Sequence, residues 1–245
     1  MEMNKLLLME SFNFVKDQGW IKSLRRGHTG IGYTFEQYCG VVENSLAFPD
    51  FYNIEIKTHR KYSNSMICLF SYDPKGNNSY EIKHIYDCYG YPSIKNQHKK
   101  VFYISLFCNQ VKRICNGYTF SLEVDRLEKK LYLLVHDEYG RLVEKSSFWY
   151  FHTLEQKLYN KLEYLAFIVA DRKFIDDWEY FKYESIEFYK LKGFDFFLDL
   201  LESGKILISF NVGPNKKLSH PWQVDNHGTS FCINAKDLVL LYETF

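Results

Sequence analysis

The feature that most constrains this chain is a six-residue segment, Asn53 to Thr58, in which apolar and polar residues alternate. Such alternation is typical of a β-strand, on which residues two apart point to the same side, about 7 Å from each other. Ile54 and Ile56 would anchor this strand in a core. Glu55 and Lys57 would then project together from its other face.

Asp50 follows Pro49 just before this segment, and it can bring a second carboxylate beside Glu55. Two carboxylates supply the hard oxygen ligands that Mg²⁺ prefers. A metal ion held there would activate water towards a phosphodiester, and Lys57 would orient or help to deprotonate that water and stabilise the developing charge. The alternative is an amphipathic edge strand whose Glu55 and Lys57 only face solvent.

Length, net charge and cysteine spacing limit the kinds of protein that this chain can be. The 245 residues, 46% of them hydrophobic, can form one large domain or two closely joined lobes with a core. The formal net charge is only +1, so any affinity for DNA must come from local basic clusters. The six cysteines show no CxxC spacing, which argues for a reducing cytoplasm and against a zinc site. We expect neither a signal peptide nor a membrane span.

Three further segments give expectations about local structure. Thr34 and Gln37 form a candidate capping box for a helix that carries Glu36 on its polar side. Residues 76–100 have little apolar periodicity, which predicts a long functional loop. Residues 164–170 are apolar throughout and predict a central buried strand.

Two separated groups of motifs resemble one family of enzymes. The strings TGIGYTFE, PDFYNIEIKTH and LFSYDP, followed near the C-terminus by HGTSFCIN, closely resemble the MvaI/BcnI group of type II restriction endonucleases. These enzymes are relatives of the mismatch-repair nicking enzyme MutH within the PD-(D/E)XK nuclease superfamily. Dense similarity covers about residues 27 to 75 and 226 to 236. The resemblance implies an α/β fold with a PD-(D/E)XK (restriction-endonuclease-like) mixed sheet, flanked by helices, in a two-lobed clamp.

The resemblance also implies a division of labour along the chain. Residues 1–245 would form a single endonuclease unit, with a catalytic lobe centred on 1–75 and part of 150–172. The DNA-recognition lobe would include about 205–236.

Carried over residue by residue, the resemblance assigns four acidic and basic side chains to catalysis. Asp50 and Glu55 match the metal-binding carboxylates, and Lys57 matches the catalytic lysine. Glu36 matches an acidic position beside the active site. For Glu36 the alternative is a solvated glutamate on a helix face.

Candidates for DNA contact come from the basic clusters and from the polar residues of the C-terminal strands and their loop. Asn211 and Cys232 stand on strands where an arginine is expected in some relatives, and asparagine suits adenine whereas arginine suits guanine. That departure puts the GC-rich target of the group in doubt. For each candidate, ordinary surface polarity is the alternative. The candidates are Arg25, Arg26, His59, Arg60, Ser209, Asn211, Lys216, Lys217, Asp225, His227 and Thr229.

The function that these observations imply is that of a type II site-specific deoxyribonuclease. It would hydrolyse double-stranded DNA with Mg²⁺, for which Mn²⁺ could substitute. It would act as a monomer in the bacterial cytoplasm, with a cognate DNA methyltransferase in the same system. A MutH-like repair nickase and a catalytically silent DNA-binding module are the alternatives, although intact Asp50, Glu55 and Lys57 argue against silence.

Overall fold

The fold comes from a computed structural model that describes residues 2–41, 48–76, 81–214 and 224–245. The chain divides into two compact units. The first unit comprises Met1–Ile67, Gln156–Gly193 and Ala235–Phe245, and the second comprises Cys68–Glu155 and Phe194–Asn234. Within the described ranges, every helix is too short or too polar to cross a membrane.

Helices and strands are mixed along the chain, which confirms the α/β class predicted from the sequence. In chain order the elements are α1 (Glu2–Asp17), β1 (Ile21–Lys22), α2 (Gly30–Tyr38), β2 (Glu55–Arg60), β3 (Ile67–Ser71), α3 (Glu81–Tyr89), β4 (Tyr91–Ser93), β5 (Asn96–Leu106), β6 (Lys112–Arg113), β7 (Thr119–Asp125), β8 (Lys130–His136), β9 (Leu142–Glu144), β10 (Phe148–Tyr150), α4 (Phe151–Leu162), β11 (Tyr164–Ile175), β12 (Trp178–Leu191), α5 (Phe194–Glu202), β13 (Ile206–Pro214), β14 (Val224–Ile233), a 3₁₀ turn (Ala235–Asp237), α6 (Leu238–Leu241) and β15 (Tyr242–Thr244).

The first unit is built on a sheet with the strand order β1-β12-β11-β2, and β15 also pairs with β12. The predicted central strand is β11, which lies between antiparallel β12 and parallel β2. Its apolar run packs into the core with α1 and α2, as expected for a strand covered on both faces. The hydroxyl of Tyr183 on β12 donates to the carbonyl of Ile31 at 2.8 Å and ties α2 to the sheet.

The entry into α2 differs from the predicted capping box. The helix begins at Gly30, so Thr34 lies inside it, and the Thr34 hydroxyl accepts a hydrogen bond from the Leu24 backbone N–H at 3.0 Å. A Cβ at position 30 would come within 2.5 Å of the Arg25 carbonyl oxygen and 2.6 Å of Ser23 Oγ. Gly30 therefore lets the preceding loop pack directly against the helix.

The second unit contains two sheets, with the strand orders β3-β14-β13-β5-β4 and β10-β8-β7-β6. In the second of these sheets, β8 pairs antiparallel with both β7 and β10. Trp149 packs tilted against Phe210 and edge-on against Phe231 in the core of this unit. The hairpin of β13 and β14 is thereby held on a buried aromatic base.

The expectation of a long loop over residues 76–100 is wrong for the part that the structure describes. Residues 81–89 form α3, and strands β4 and β5 follow. Ile82, Ile85 and Tyr89 are buried at helical spacing on one face of α3, while most of its other side chains are polar. The polar composition masked this periodicity. Residues 77–80 lie outside the described ranges.

Candidate active site

Glu55 and Lys57 project from the same side of β2, as the alternating pattern predicts. The Lys57 Nζ donates to Glu55 Oε1 at 2.6 Å. The Glu55 side chain is only 1% exposed and that of Lys57 is 21% exposed. The alternative of a solvated strand edge is therefore wrong for Glu55.

The parallel neighbour β11 sets the position of this strand. In the register of the pair, Glu55 lies opposite Leu165 and Lys57 lies opposite Phe167. Both partners are buried. The carboxylate is thus fixed by a ladder whose other strand is a continuous apolar run.

Asp50 reaches the start of β2 through a backbone contact. The Ile56 N–H donates to Asp50 Oδ2 at 3.1 Å. The negative charge of Asp50 also helps to raise the pKa of Glu55. Asp50 is thus held at the start of β2, near enough to Glu55 for its charge to act on that carboxyl group.

Burial raises the pKa of Glu55 from 4.5 to about 7, and the charge of Asp50 adds to this effect against the opposing effect of two lysines. Lys57 and Lys161 each favour the ionised form. Near neutral pH the carboxyl group therefore lies close to its midpoint. A cation that approaches it would displace the remaining proton.

One carboxylate oxygen of Glu55 has no hydrogen-bond partner among the described residues. This atom, Oε2, is buried, whereas Oε1 accepts from Lys57. A buried, unpaired carboxylate oxygen is costly unless a cation or a donor satisfies it. Together with Asp50, it gives the oxygen ligands that suit a divalent cation.

Lys161 is a member of this site that the sequence analysis did not identify. It lies in the last turn of α4, and its Nζ is 3.3 Å from Glu55 Oε1. Two lysine side chains therefore share one carboxylate oxygen. No motif marks Lys161, because its contact with Glu55 joins residues far apart in the chain.

Glu36 lies on α2 close to β2. A Cβ at Gly32 would come within 3.3 Å of Thr58 Oγ1 and 3.4 Å of Glu36 Oε1. Gly32 therefore allows α2 to approach the strand closely, and it leaves the half-buried Glu36 carboxylate on the side of Thr58. Burial raises the pKa of Cys39 to about 12, and the negative charge of Glu36 adds to this effect.

Arg60 and His59 have partners within the first unit. The Arg60 guanidinium binds both oxygens of Glu179, at 2.7 and 2.9 Å, and donates to the carbonyls of Gly27 and His28. The buried His59 ring contacts the Ser65 carbonyl at 3.0 Å. Both side chains therefore help to shape the unit.

Arg25 and Arg26 lie in the loop that Arg60 holds. The Arg25 guanidinium lies 3.8 Å from the centre of the Tyr33 ring, and that of Arg26 lies 4.3 Å from the Trp178 ring. Such stacking fixes the orientation of a guanidinium group. Arg26 is exposed. These two arginines are the better-placed candidates for phosphate contact in the first unit.

A cluster of two glutamates and one histidine lies in the second unit. Ligand atoms of Glu81, His84 and Glu144 lie within 4.8 Å of one another. Glu144 accepts hydrogen bonds from Tyr89 and Ser146 and pairs with His84 Nε2 at 3.0 Å. These contacts hold the pKa of Glu144 below its usual value despite burial. Protein donors thus already satisfy this carboxylate, unlike Glu55 Oε2.

The C-terminal hairpin contains a β-bulge at two of the predicted DNA-reading residues. The pairing of β13 with β14 shifts register after Phe210, so that His227 and Gly228 lie opposite Asn211. Asn211 is exposed, and the His227 side chain is 58% exposed. Asp225 lies 3.6 Å from His227 Nε2.

The remaining candidates of this region are placed differently. Ser209 is half-buried, and its hydroxyl contacts that of Ser105 at 2.9 Å. Thr229 is fully buried, and its hydroxyl donates to Asp73 at 2.9 Å. Lys216 and Lys217 lie outside the described residues.

Comparison with known proteins identifies close structural relatives. The model of the MvaI/BcnI restriction endonuclease family matches residues 9–242. The structure described as "Restriction endonuclease MvaI-cognate DNA substrate complex" is 28% identical, with a TM-score of 0.89, covering 100% of this chain and 98% of that one. The structure of restriction endonuclease MvaI in the absence of DNA has the same identity and coverage, with a TM-score of 0.65. No curated protein matches the chain.

The buried carboxyl group gives a prediction about stability in metal-free buffer. Glu55 has a folded pKa of about 7 against 4.5 in the reference state. Between these values the folded state binds more protons, so the free energy of unfolding falls as pH rises. Relative to Glu55→Gln, the parent should lose about 3 kcal/mol between pH 4.5 and about pH 8. Urea unfolding with chelator across this range measures the difference.

The control for this experiment is Glu10→Gln, since Glu10 is exposed on α1. Its stability should follow the parent at every pH. Parallel pH dependence of the parent and Glu55→Gln would show that the Glu55 carboxyl group is not perturbed.

A second prediction concerns Lys161. Its positive charge lowers the pKa of Glu55, so Lys161→Met should raise that pKa. The acid limb of cleavage rate against pH should then move to higher pH, and Lys161→Arg should move it less. An unchanged acid limb in Lys161→Met would separate Lys161 from the titration of this site.

Proposed function

The chain belongs to the MvaI/BcnI restriction endonuclease family, and from this membership we propose that Asp50, Glu55 and Lys57 are the centre at which it hydrolyses the phosphodiester bonds of DNA. It is a type II restriction endonuclease, a site-specific deoxyribonuclease. The observation that carries the proposed centre is Glu55 Oε2, a buried carboxylate oxygen without a protein partner among the described residues. Such an atom is expected where a ligand completes the site.

Membership of a restriction endonuclease family implies use of a divalent metal ion. We assign the metal to Asp50 and Glu55 and propose Mg²⁺, with Mn²⁺ able to replace it. Both residues offer hard oxygen ligands, and Glu55 Oε2 lacks any competing protein donor among the described residues. A bound ion there would lower the pKa of water and offset the charge that develops on the phosphate.

The two lysines have separate tasks in this proposal. Lys57 is partly exposed to solvent whereas Glu55 is buried, so its ammonium group can reach a water molecule or a phosphate oxygen. It orients the attacking water and stabilises the developing negative charge. Lys161 remains against Glu55 Oε1 and keeps the carboxylate charge balanced. Glu36, on the neighbouring helix, adds an acidic group beside β2.

DNA contacts are divided between the two units in this proposal. In the first unit, the catalytic lobe, Arg25 and Arg26 contact backbone phosphates, because aromatic rings orient both guanidinium groups. In the second unit, the recognition lobe, Asn211 and His227 read base edges, because both are exposed and both lie at the bulge. The net charge of +1 means that affinity depends on these local contacts.

The remaining candidates have other roles or lie elsewhere. We assign Arg60, His59 and Thr229 to support of the DNA-contacting loops, since all three are held by protein partners. Ser209 and Asp225 stand beside the reading residues. Lys216 and Lys217 would contribute phosphate contacts.

The biological setting follows from the activity. An enzyme that cuts DNA at a short sequence would destroy the DNA of its own cell unless those sites were protected. We therefore propose a cognate DNA methyltransferase as its partner in a bacterial cytoplasm. We further propose that it acts on DNA as a monomer that cuts the two strands in turn, as the family resemblance implies.

Digestion of a sequenced plasmid tests the proposed centre. With Mg²⁺ the parent should give discrete fragments whose ends define the recognition site. Lys57→Ala should slow cleavage by about a thousandfold or more, because charge stabilisation in the transition state is lost, while DNA binding persists. Lys236→Ala is the control, since Lys236 is exposed in the same unit. Undiminished cutting by Lys57→Ala would remove Lys57 from the mechanism.

Removal of the metal gives a separate prediction. Excess chelator should stop cleavage, and Mg²⁺ or Mn²⁺ should restore it. Added metal should also raise the melting temperature of the parent but not of a variant with both Asp50→Asn and Glu55→Gln, because only the parent binds the ion. Cleavage in excess chelator would refute the metal centre.

A further inference from the structure

Asp73 lies in the LFSYDP motif and is hydrogen-bonded to β14, the strand of the HGTSFCIN motif. Its Oδ1 accepts from both the backbone N–H and the hydroxyl of Thr229, each at 2.9 Å. Its Oδ2 accepts from Asn226 Nδ2 at 2.6 Å. Asp73 therefore binds β14 immediately before and immediately after the two bulged residues, His227 and Gly228.

The backbone conformation of the bulge is linked to these hydrogen bonds through Asn226 and Gly228. Gly228 has a φ of +83°, a conformation that residues with a side chain rarely adopt. The Gly228 N–H donates to Asn226 Oδ1 at 2.9 Å, so the Asn226 amide is oriented from both ends. A Cβ at position 228 would come within 3.2 Å of Ser71 Cβ. The turn of the backbone is thus fixed against the segment that bears Asp73.

Loss of the Asp73 carboxylate would leave the hydrogen-bond donors of Thr229 without their acceptor. Thr229 is fully buried, and its N–H and hydroxyl both use Asp73 as acceptor. A buried donor that loses its acceptor destabilises the local arrangement. Strand pairing beside a bulge can relax by changing register or twist, which would re-aim the exposed side chains.

We propose that Asp73 is a positioning residue for sequence specificity: by holding Asn226 and Thr229, it fixes the bulge that presents Asn211 and His227 to the bases. This inference rests on the proposed reading role of the hairpin. Asp73 acts only through its neighbours on β14. Its loss should therefore alter discrimination between DNA sequences more than the rate of bond hydrolysis.

The test compares Asp73→Asn with Asp137→Asn. Asp137 accepts from the N–H groups of Tyr139 and Arg141 and from the Arg141 side chain, so it is a matched carboxylate in the same unit that holds only its own turn. The values of kcat and KM are measured on the cognate duplex and on every single-base variant of it. Asp73→Asn should lose about tenfold in discrimination at one or two base pairs, with kcat on the cognate site changed little. Asp137→Asn should discriminate like the parent.

An exchange of side chains provides the rescue. In the double variant Asp73→Asn/Asn226→Asp the amide and the carboxylate trade places. The amide introduced at position 73 can still accept from Thr229 and donate to the side chain at position 226, and the carboxylate introduced there can still accept from the Gly228 N–H. The exchange should restore most of the lost discrimination. It also carries the test if Asp73→Asn alone does not fold, since it keeps every hydrogen bond of the parent.

The possible outcomes separate this inference from the proposed function. If the parent itself cuts no DNA with Mg²⁺, the proposed function fails. If the parent cuts, the inference is overturned when Asp73→Asn retains full discrimination or loses activity equally on all sequences. Failure of the exchange to restore discrimination overturns it as well. Position-specific loss with rescue supports it.

Discussion

The active centre depends on a carboxylate that is held inside the protein. Burial raises the pKa of Glu55, and the charge of Asp50 adds to that effect. The two lysines on Oε1 work against it, and they leave Oε2 for a ligand. The site is therefore balanced near the charge state in which a divalent cation can replace a proton. The surrounding elements can be understood as the means of maintaining this balance.

That balance requires a rigid sheet. Glu55 is placed by parallel pairing with a buried strand, and Lys161 is carried by the helix that leads into that strand. Lys161 therefore reaches the site from the continuous segment of α4 and β11, and Glu55 reaches it from β2, which pairs with β11. Gly32 contributes by letting α2 approach β2 closely. Small changes in any of these elements would alter distances between charges, to which electrostatic energies in a buried site are sensitive.

The chemistry of the site was more readable from the sequence than its supporting contacts. Asp50, Glu55 and Lys57 lie within eight positions, and strand periodicity alone predicts that two of them share a side. Lys161 and Asp73 could not be assigned in this way, because each acts on a residue about a hundred or more positions away, and tertiary packing determines such pairs. The helix α3 was overlooked because only three of its positions carry the buried apolar pattern. The charge of Arg60 predicts a DNA contact, yet its hydrogen bonds are to Glu179 and to loop carbonyls.

Those contacts of Arg60 have a geometric consequence. Glu55 opens β2 and Arg60 closes it, so one strand carries the buried carboxylate at one end and the support of the basic loop at the other. Five residue steps of extended chain span roughly 17 Å. An extended strand can be neither stretched nor shortened without losing its ladder. The length of β2 therefore keeps a constant distance between the loop bearing Arg25 and Arg26 and the carboxylate of Glu55.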